Sequence, residues 1–283
     1  MAASNGYARQ DALVDTEWVA AHRDDAGVRL VEVDVNTHAY DEGHIPGAVG
    51  WNWQTQLQRR PVRDFPATAE WAALLGQAGI RPETQVVLYG DNHNWFAAYA
   101  YWLFALYGHT NVRLLNGGRQ KWLDEGRPVT TDVPAYAAAT YPTPPYNASL
   151  RALRDDILRR LEGNGIALVD VRSPGEYSGD LLAPANLPQE GAQRGGHIPG
   201  ARNIPWSSVV TEAGTFKSAA ELTALYGGQG VTPDKEVFTY CRIGERSAHS
   251  WFVLTQLLGY PTVRNYDGSW TEWGSLIGAP IEV

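Results

Sequence analysis

The chain has 283 residues, 44% of them hydrophobic and 19% charged, with a formal net charge of −8 at pH 7. That is globular composition, long enough for one large domain or two ordinary ones, and it excludes collagen-like, fibrous and disordered classes. The acidic balance argues against a nucleic-acid partner, which needs a basic face, but not against a small anion held by a local arginine cluster.

A single cysteine, Cys241, rules out an intramolecular disulfide and fits a reducing compartment, so a cytoplasmic location is expected. The stretch from Met1 to Val19 lacks the apolar core of a signal peptide. No run of about 18 apolar residues exists, so no membrane span is expected. Cysteine and histidine are not clustered at metal-ligand spacing, and neither a metal nor a cofactor is expected.

In chain order, the first half opens with a buried strand, Leu30-Val31-Glu32-Val33-Asp34-Val35, followed by Gly43-His44-Ile45-Pro46-Gly47-Ala48. Next, Gly79-Ile80-Arg81-Pro82 precedes a second strand at Val86–Tyr89. Trp95 to Tyr107 is apolar almost all round, which predicts a deeply buried helix. Asn116-Gly117-Gly118 then leads to Trp122. From Thr130 to Ser149 the chain carries Pro134, Pro142, Pro144 and Pro145 with little apolar periodicity, the composition of an extended surface linker.

The second half repeats the first. Ala167-Leu168-Val169-Asp170-Val171 is followed by Gly196-His197-Ile198-Pro199-Gly200-Ala201, and Gly230-Val231-Thr232-Pro233 by Val237–Tyr240. Asp267-Gly268-Ser269 then leads to Trp273. From Tyr89/Tyr240 to Trp122/Trp273 the offset stays at 151 residues. A period of that size means tandem domains rather than a solenoid. Helices are predicted at Ala219–Tyr226, Arg246–Leu258 and Gly268–Ile277, the middle one from Ala248, Trp251, Leu254 and Leu258. Alternating strands and helices predict an α/β fold: two domains, each a mostly parallel sheet with helices on both faces. The expected boundaries are 1–130, a linker at 131–149, and 150–283.

Features present in both halves serve the fold; features present in one are candidates for chemistry. After Tyr240 the second half runs Cys241-Arg242-Ile243-Gly244-Glu245-Arg246-Ser247. After Tyr89 the first runs Gly90-Asp91-Asn92-His93-Asn94-Trp95-Phe96, with neither the thiol nor the two arginines. The second domain is therefore expected to be active and the first silent. The loop leaves the carboxyl end of a strand and opens a helix, where open α/β sheets bind ligands. The helix start offers unpaired N–H groups, and Gly244 lets the backbone curl around an anion. A lone cysteine is often an inert core thiol. Here Arg242 and Arg246 flank it, and a thiol pKa depressed into the range of roughly 3.5–7.5 is expected.

The Cys241-to-Ser247 loop resembles that of the tandem-domain rhodaneses, the thiosulfate sulfurtransferases. The paired Gly-His-Ile-Pro-Gly-Ala segments, the Asp-Val strand ends and Asp267-Gly268-Ser269-Trp270 extend the resemblance over nearly the whole chain. It implies two rhodanese-like domains with the amino-terminal one inactive. It also implies that the Cys241 thiolate takes the outer sulfur of thiosulfate as a persulfide, held by loop amides, and passes it to cyanide, a small thiol or a thioredoxin-like acceptor. Arg246 would contact the anion and Arg242 support it, within a substrate loop of Ile243, Gly244, Glu245 and Ser247. Two guanidinium groups suit a dianionic donor. The related mercaptopyruvate sulfurtransferases usually carry small neutral residues here, so thiosulfate is the favoured donor and mercaptopyruvate the alternative. The acidic Glu245 and apolar Ile243 stand where some members carry a basic residue.

Other residues are weaker candidates. Arg194, within a segment near 178–194 that has no equivalent in the first half, is a candidate pocket wall with added positive charge; an ordinary surface loop is the equal alternative. Asp170 and Trp270 are further candidates for the wall, the latter standing where the first half has Arg119. His44 and His197 occur in both halves and are read as structural. Cysteine phosphatases and arsenate reductases share the strand–loop–helix cradle but space their arginine as Cys-x5-Arg, whereas this loop is Cys-x4-Arg. A non-enzymatic sulfur carrier or redox sensor is the remaining class, and the absence of a second cysteine weakens a disulfide switch.

Overall fold

The computed structural model describes residues 5–161, 163, 165–183 and 191–283. The chain divides into two compact units. The N-terminal unit is Asp11–Asn147 with Glu212–Phe216; the C-terminal unit is the remainder, including the described residues through Gln10.

The N-terminal unit holds five strands: β1 (Leu13–Val14), β2 (Val28–Asp34), β3 (Val49–Asn52), β4 (Gln85–Tyr89) and β5 (Val112–Leu115). The C-terminal unit holds β6 (Arg151–Ala152), β7 (Ile166–Asp170), β8 (Arg202–Asn203), β9 (Glu236–Tyr240) and β10 (Val263–Tyr266). Their orders, β1-β5-β4-β2-β3 and β6-β10-β9-β7-β8, are the same topology twice. All pairings are parallel. Central strands of a parallel sheet are covered on both faces, which is why almost every residue of β2, β4, β7 and β9 is buried, including Arg29, Glu32 and Asp34 of β2. In each unit the chain moves outward in opposite directions from the central pair, β2/β4 or β7/β9. The crevice at their carboxyl ends is thus the switch point where such sheets place ligands.

Tyr240 shows how the repeat builds this end. Its hydroxyl accepts the Ile198 N–H at 3.1 Å, fixing the His-Ile-Pro-Gly turn to the sheet, and Tyr89 does the same for Ile45 at 3.1 Å. His197 and His44 stack on Tyr177 and Tyr40 at 3.6 and 3.7 Å, with each Nδ1 on that tyrosine's carbonyl. The same geometry in both copies is scaffold. The C-terminal core gathers Leu168, Ile198, Phe238, Tyr240, Tyr266, Trp270 and Trp273.

Two helices are shorter than expected, and a third gains an irregular turn ahead of the expected start. The predicted 246–258 helix is α-helical only over Glu245–Phe252 and continues as a π turn, Val253–Leu257. The predicted 268–277 helix is α-helical only over Ser269–Trp273; beyond it the chain makes i→i+3 turns, with the carbonyls of Trp273, Gly274 and Leu276 also accepting from the Arg194 guanidinium. In the first unit the helical run is Asp91–Leu106, but Asn92, His93 and Asn94 are left-handed, so the regular helix starts near Trp95. From Phe96 to Tyr107 every residue but Ala105 is buried, which explains the all-round apolar sequence. The proline-rich stretch 131–147 has no regular element; it is stitched to the N-terminal unit by Ala139 N–H to Gly76 O (2.9 Å) and Tyr136 Oη to Gly47 O (2.7 Å). Among the described residues no helix is long and apolar enough to cross a membrane.

Candidate active site

Cys241 is the first residue beyond β9, at the switch point, and is fully buried. Its own peptide is pinned on both sides by the segment after β10. The Cys241 N–H donates to Ser269 Oγ at 3.0 Å, the Trp270 N–H donates to the Cys241 carbonyl at 3.0 Å, and the Thr271 N–H to that of Arg242 at 2.9 Å. The repeated Asp267-Gly268-Ser269 signature is thus a clamp on the base of the loop. Ser269 itself sits at φ 52°, a left-handed position.

The loop then curls back over the sulfur. The Gly244 N–H donates to Sγ at 3.1 Å, and the amides of Ile243 and Ser247 also face it. This is a concave row of backbone donors, suited to a sulfur anion. Gly244 makes the curl with φ +98°, and a Cβ there would lie 2.5 Å from Asp267 Cα. Asp267 cannot retreat easily, since Arg151 grips its carboxylate at 2.8 and 2.9 Å. Gly244→Ala is therefore expected to lose at least about 1–2 kcal/mol to the left-handed backbone alone. It should also open the loop, with sulfur-transfer activity falling further than stability. Paired urea melts and turnover assays check this, and an Ala variant with wild-type turnover would refute the cradle.

Both loop arginines are buried. Arg246, in the first turn of the helix, meets Glu176 through Nη1–Oε2 and Nη2–Oε1, each 2.9 Å. Glu176 lies on the short helix Pro174–Ser178 after β7, where its Oε2 also takes the Ser173 N–H at 3.1 Å and hydroxyl at 2.9 Å. Burial works to raise the Glu176 pKa, but Arg246 and Ser173 outweigh it and hold the carboxyl down at about 2. Arg246 is itself raised, with Glu176, Cys241 and Glu245 overcoming its burial. Glu176 was absent from the sequence-based candidates. Its one local signal was the capping box Ser173-Pro174-Gly175-Glu176, which marks a helix start and not a partner for Arg246.

Glu245, also buried, places Oε2 3.5 Å from the Cys241 sulfur. The expected depressed thiol pKa is corrected here. Burial pushes the Cys241 thiol up from its usual value and Glu245 adds to it, against Arg246 and the Ser247 and Ile243 amides. The sequence shows the two positive charges but not the burial, nor that a carboxylate occupies the sulfur's side of the loop.

The remaining candidates make the following contacts. Asp170, fully buried, binds Arg172 through Nη2–Oδ2 at 2.5 Å and Nε–Oδ1 at 3.0 Å, and Arg172 lies 4.5 Å over the Trp270 ring. Trp270 is core, its indole N–H on the Arg194 carbonyl at 2.9 Å. The Arg194 guanidinium donates to the carbonyls of Gly274 (3.1 Å), Ala279 (3.1 Å), Trp273 (3.3 Å) and Leu276. Of the segment near 178–194, residues 184–190 lie outside the described residues. Among those described, no group of three His, Cys, Asp or Glu is placed to hold a metal ion.

The equivalent loop of the N-terminal unit is filled differently. Asn94, opposite Glu245, accepts the Gly90 N–H at 3.1 Å, the role that Ser269 plays for Cys241. Arg119 pairs with Glu32 at 3.2 Å, and Asp34 Oδ1 accepts the Asp91 N–H at 2.8 Å. Burial, then Asp91 and Glu32, raise the Asp34 carboxyl from 3.8 to about 8. A carboxyl with a raised folded pKa makes the fold lose stability as pH rises from about 4 to about 8, and the full penalty applies above that. Asp34→Asn should thus be nearly neutral at pH 4 and stabilising by a few kcal/mol at pH 8. Melting curves at the two pH values check it; an equal effect at both would exclude the titration.

Comparison with known proteins gives the family. The rhodanese-like domain matches twice, over residues 15–125 and 153–276. "Sulfur carrier protein TtuD" of Thermus thermophilus is 57% identical over 280 residues, covering 98% of each chain. A Haloferax volcanii protein provisionally named a thiosulfate sulfurtransferase is 53% identical, covering 99% of each. Among solved structures, wild-type EanB superimposes with a TM-score of 0.85 at 27% identity, covering 97% of this chain and 70% of that one. Two rhodanese-like domains of the same topology, the second carrying the cysteine loop, place this chain in the rhodanese sulfurtransferase family.

Proposed function

We propose that the protein is a thiosulfate sulfurtransferase working through a Cys241 persulfide. The observation that carries this reading is the cradle itself: one cysteine at the carboxyl end of β9, with the Gly244 amide 3.1 Å from its sulfur and Arg242 and Arg246 buried beside it. The deprotonated Cys241 sulfur attacks the outer sulfur of thiosulfate. The Sγ–S bond forms, the donor's S–S bond breaks, and sulfite leaves with the electron pair. Loop amides of Ile243, Gly244 and Ser247 hold the terminal sulfur until cyanide, a small thiol or a thioredoxin-like protein takes it. Arg246, kept charged and fixed by Glu176, supplies positive potential to the anions, with Arg242 beside it. Asp170, Trp270 and Arg194 support the loop through the ion pair, core and carbonyl contacts described above.

The naming of the Thermus relative as a sulfur carrier favours a second reading, in which the persulfide is delivered to a protein acceptor. One experiment separates these. Intact mass is recorded after incubation with thiosulfate, then with mercaptopyruvate, and each loaded sample is challenged with cyanide and with a reduced thioredoxin. Gain of one sulfur atom from thiosulfate, with repeated thiocyanate formation, supports the enzyme. Loading with a single discharge to protein thiols alone supports the carrier. Hydrolysis of an aryl phosphate without any sulfur gain would overturn both.

A further inference from the structure

The rhodanese reading leaves one group at the sulfur unused. Glu245 is almost wholly buried, on the same turn as the thiol, with Oε2 3.5 Å from Sγ. We infer, on the basis of that reading, that Glu245 is the proton store of the reaction: its carboxylate takes the Cys241 thiol proton as the sulfur attacks the donor, and returns it when the acceptor removes the outer sulfur.

The balance closes in both halves. In the first, Cys241–SH, the Glu245 carboxylate and thiosulfate become the Cys241 persulfide anion, the Glu245 acid and sulfite. The Sγ–S bond forms, the donor S–S bond breaks, and the proton moves from Sγ to Oε2. In the second, cyanide takes the outer sulfur, the Cys241 thiolate is released, and the Glu245 acid reprotonates it. No proton has to cross the buried loop in either direction.

Electrostatics favours this arrangement. Before loading, the site holds a neutral thiol and a carboxylate; after it, a persulfide anion and a neutral acid. The charge facing Arg246 and Arg242 is the same in both states, so neither state exposes those buried guanidiniums to an uncompensated charge. Without the transfer, two anions would share one turn of the loop. Of the other charged groups packed here, Glu176 pairs with Arg246, and Asp267, from the segment after β10, with Arg151. A thiol held up by burial keeps its proton until a donor arrives, which is what a store requires of its source.

The test is single-turnover sulfur loading at saturating thiosulfate, followed by intact mass across pH in wild type, Glu245→Gln and Glu245→Asp. Wild type should load at a rate nearly flat from about pH 6 to 9, whereas Glu245→Gln should be slower by about a hundredfold at neutral pH and climb with pH as solvent takes over the proton. Its KM for thiosulfate should fall, since a negative charge has left the site, so that KM and kcat move together downward. Glu245→Asp should recover most of the neutral-pH rate. A Gln variant that loads as fast as wild type at neutral pH, with a flat profile, overturns the proton role and leaves the sulfurtransferase standing. Failure of wild type to gain sulfur sinks the functional reading itself. Matching circular-dichroism melts for the three proteins separate a chemical defect from misfolding.

Discussion

Cys241→Ser is expected to abolish sulfur gain from thiosulfate and to reduce thiocyanate formation to the uncatalysed background, with the fold intact. The reasoning is chemical. A serine hydroxyl retains the position at the end of β9 and the peptide clamps to Ser269 and Trp270. It is not appreciably ionised near neutral pH, and it forms no stable bond to a sulfane sulfur. The chain has no second cysteine to substitute for it. Intact mass and a thiocyanate assay read the outcome, and the melting temperature should move by only a few degrees, as for a change of one buried atom with its hydrogen-bond partners present. Retained turnover in the Ser variant would move the chemistry elsewhere on the protein.

Glu176→Gln should lower the unfolding free energy by about 3 kcal/mol, the low end of the cost of stripping one partner from a buried ion pair, because the amide oxygen can still accept one bond from Arg246. The loss has a pH signature. A carboxyl whose folded pKa is depressed from 4.5 to about 2 stabilises the fold above about pH 4.5, and that contribution fades as pH falls toward 2. Wild type should therefore lose this part of its stability between those values, and the Gln variant should lack that limb. Adding Arg246→Met should recover part of the stability, since a buried pair replaced by apolar groups costs less than a pair broken in half. A single-variant loss below about 0.5 kcal/mol, the size expected of an ordinary surface change, would mean that the pair does not hold the loop.

Much of this was readable in the sequence, for identifiable reasons. The domain repeat was legible because equivalent segments keep order and spacing. The strands were legible because a parallel sheet covered on both faces demands continuous apolar runs, as in Val237–Tyr240. The loop stood out because its twin lacks the thiol and both arginines. What escaped was whatever depends on distant partners. Glu176 meets Arg246 across 70 residues of sequence, and nothing local announces it beyond a capping box. The contacts of Arg194 with the carbonyls of Trp273, Gly274 and Ala279 are likewise made about 80 residues away. The thiol's upward shift follows from burial and from which way Glu245 points, both set by tertiary packing.

The loop after Tyr89 bears on the history of the duplication. Gly90 stands where Cys241 does, and a Cβ at Gly90 would lie 2.4 Å from the Val33 carbonyl oxygen and 2.9 Å from Asp34 Oδ1. No side chain fits there while β2 keeps its place. The next turn is wound left-handed through Asn92, His93 and Asn94, with Asn94 holding the Gly90 amide. A single codon change cannot therefore return a nucleophile to this half of the molecule. Reversion would need the strand end, the turn and the asparagine to change together, with each intermediate less well packed than either endpoint. Any residue larger than glycine at position 90 would press on the Val33 carbonyl at the end of β2.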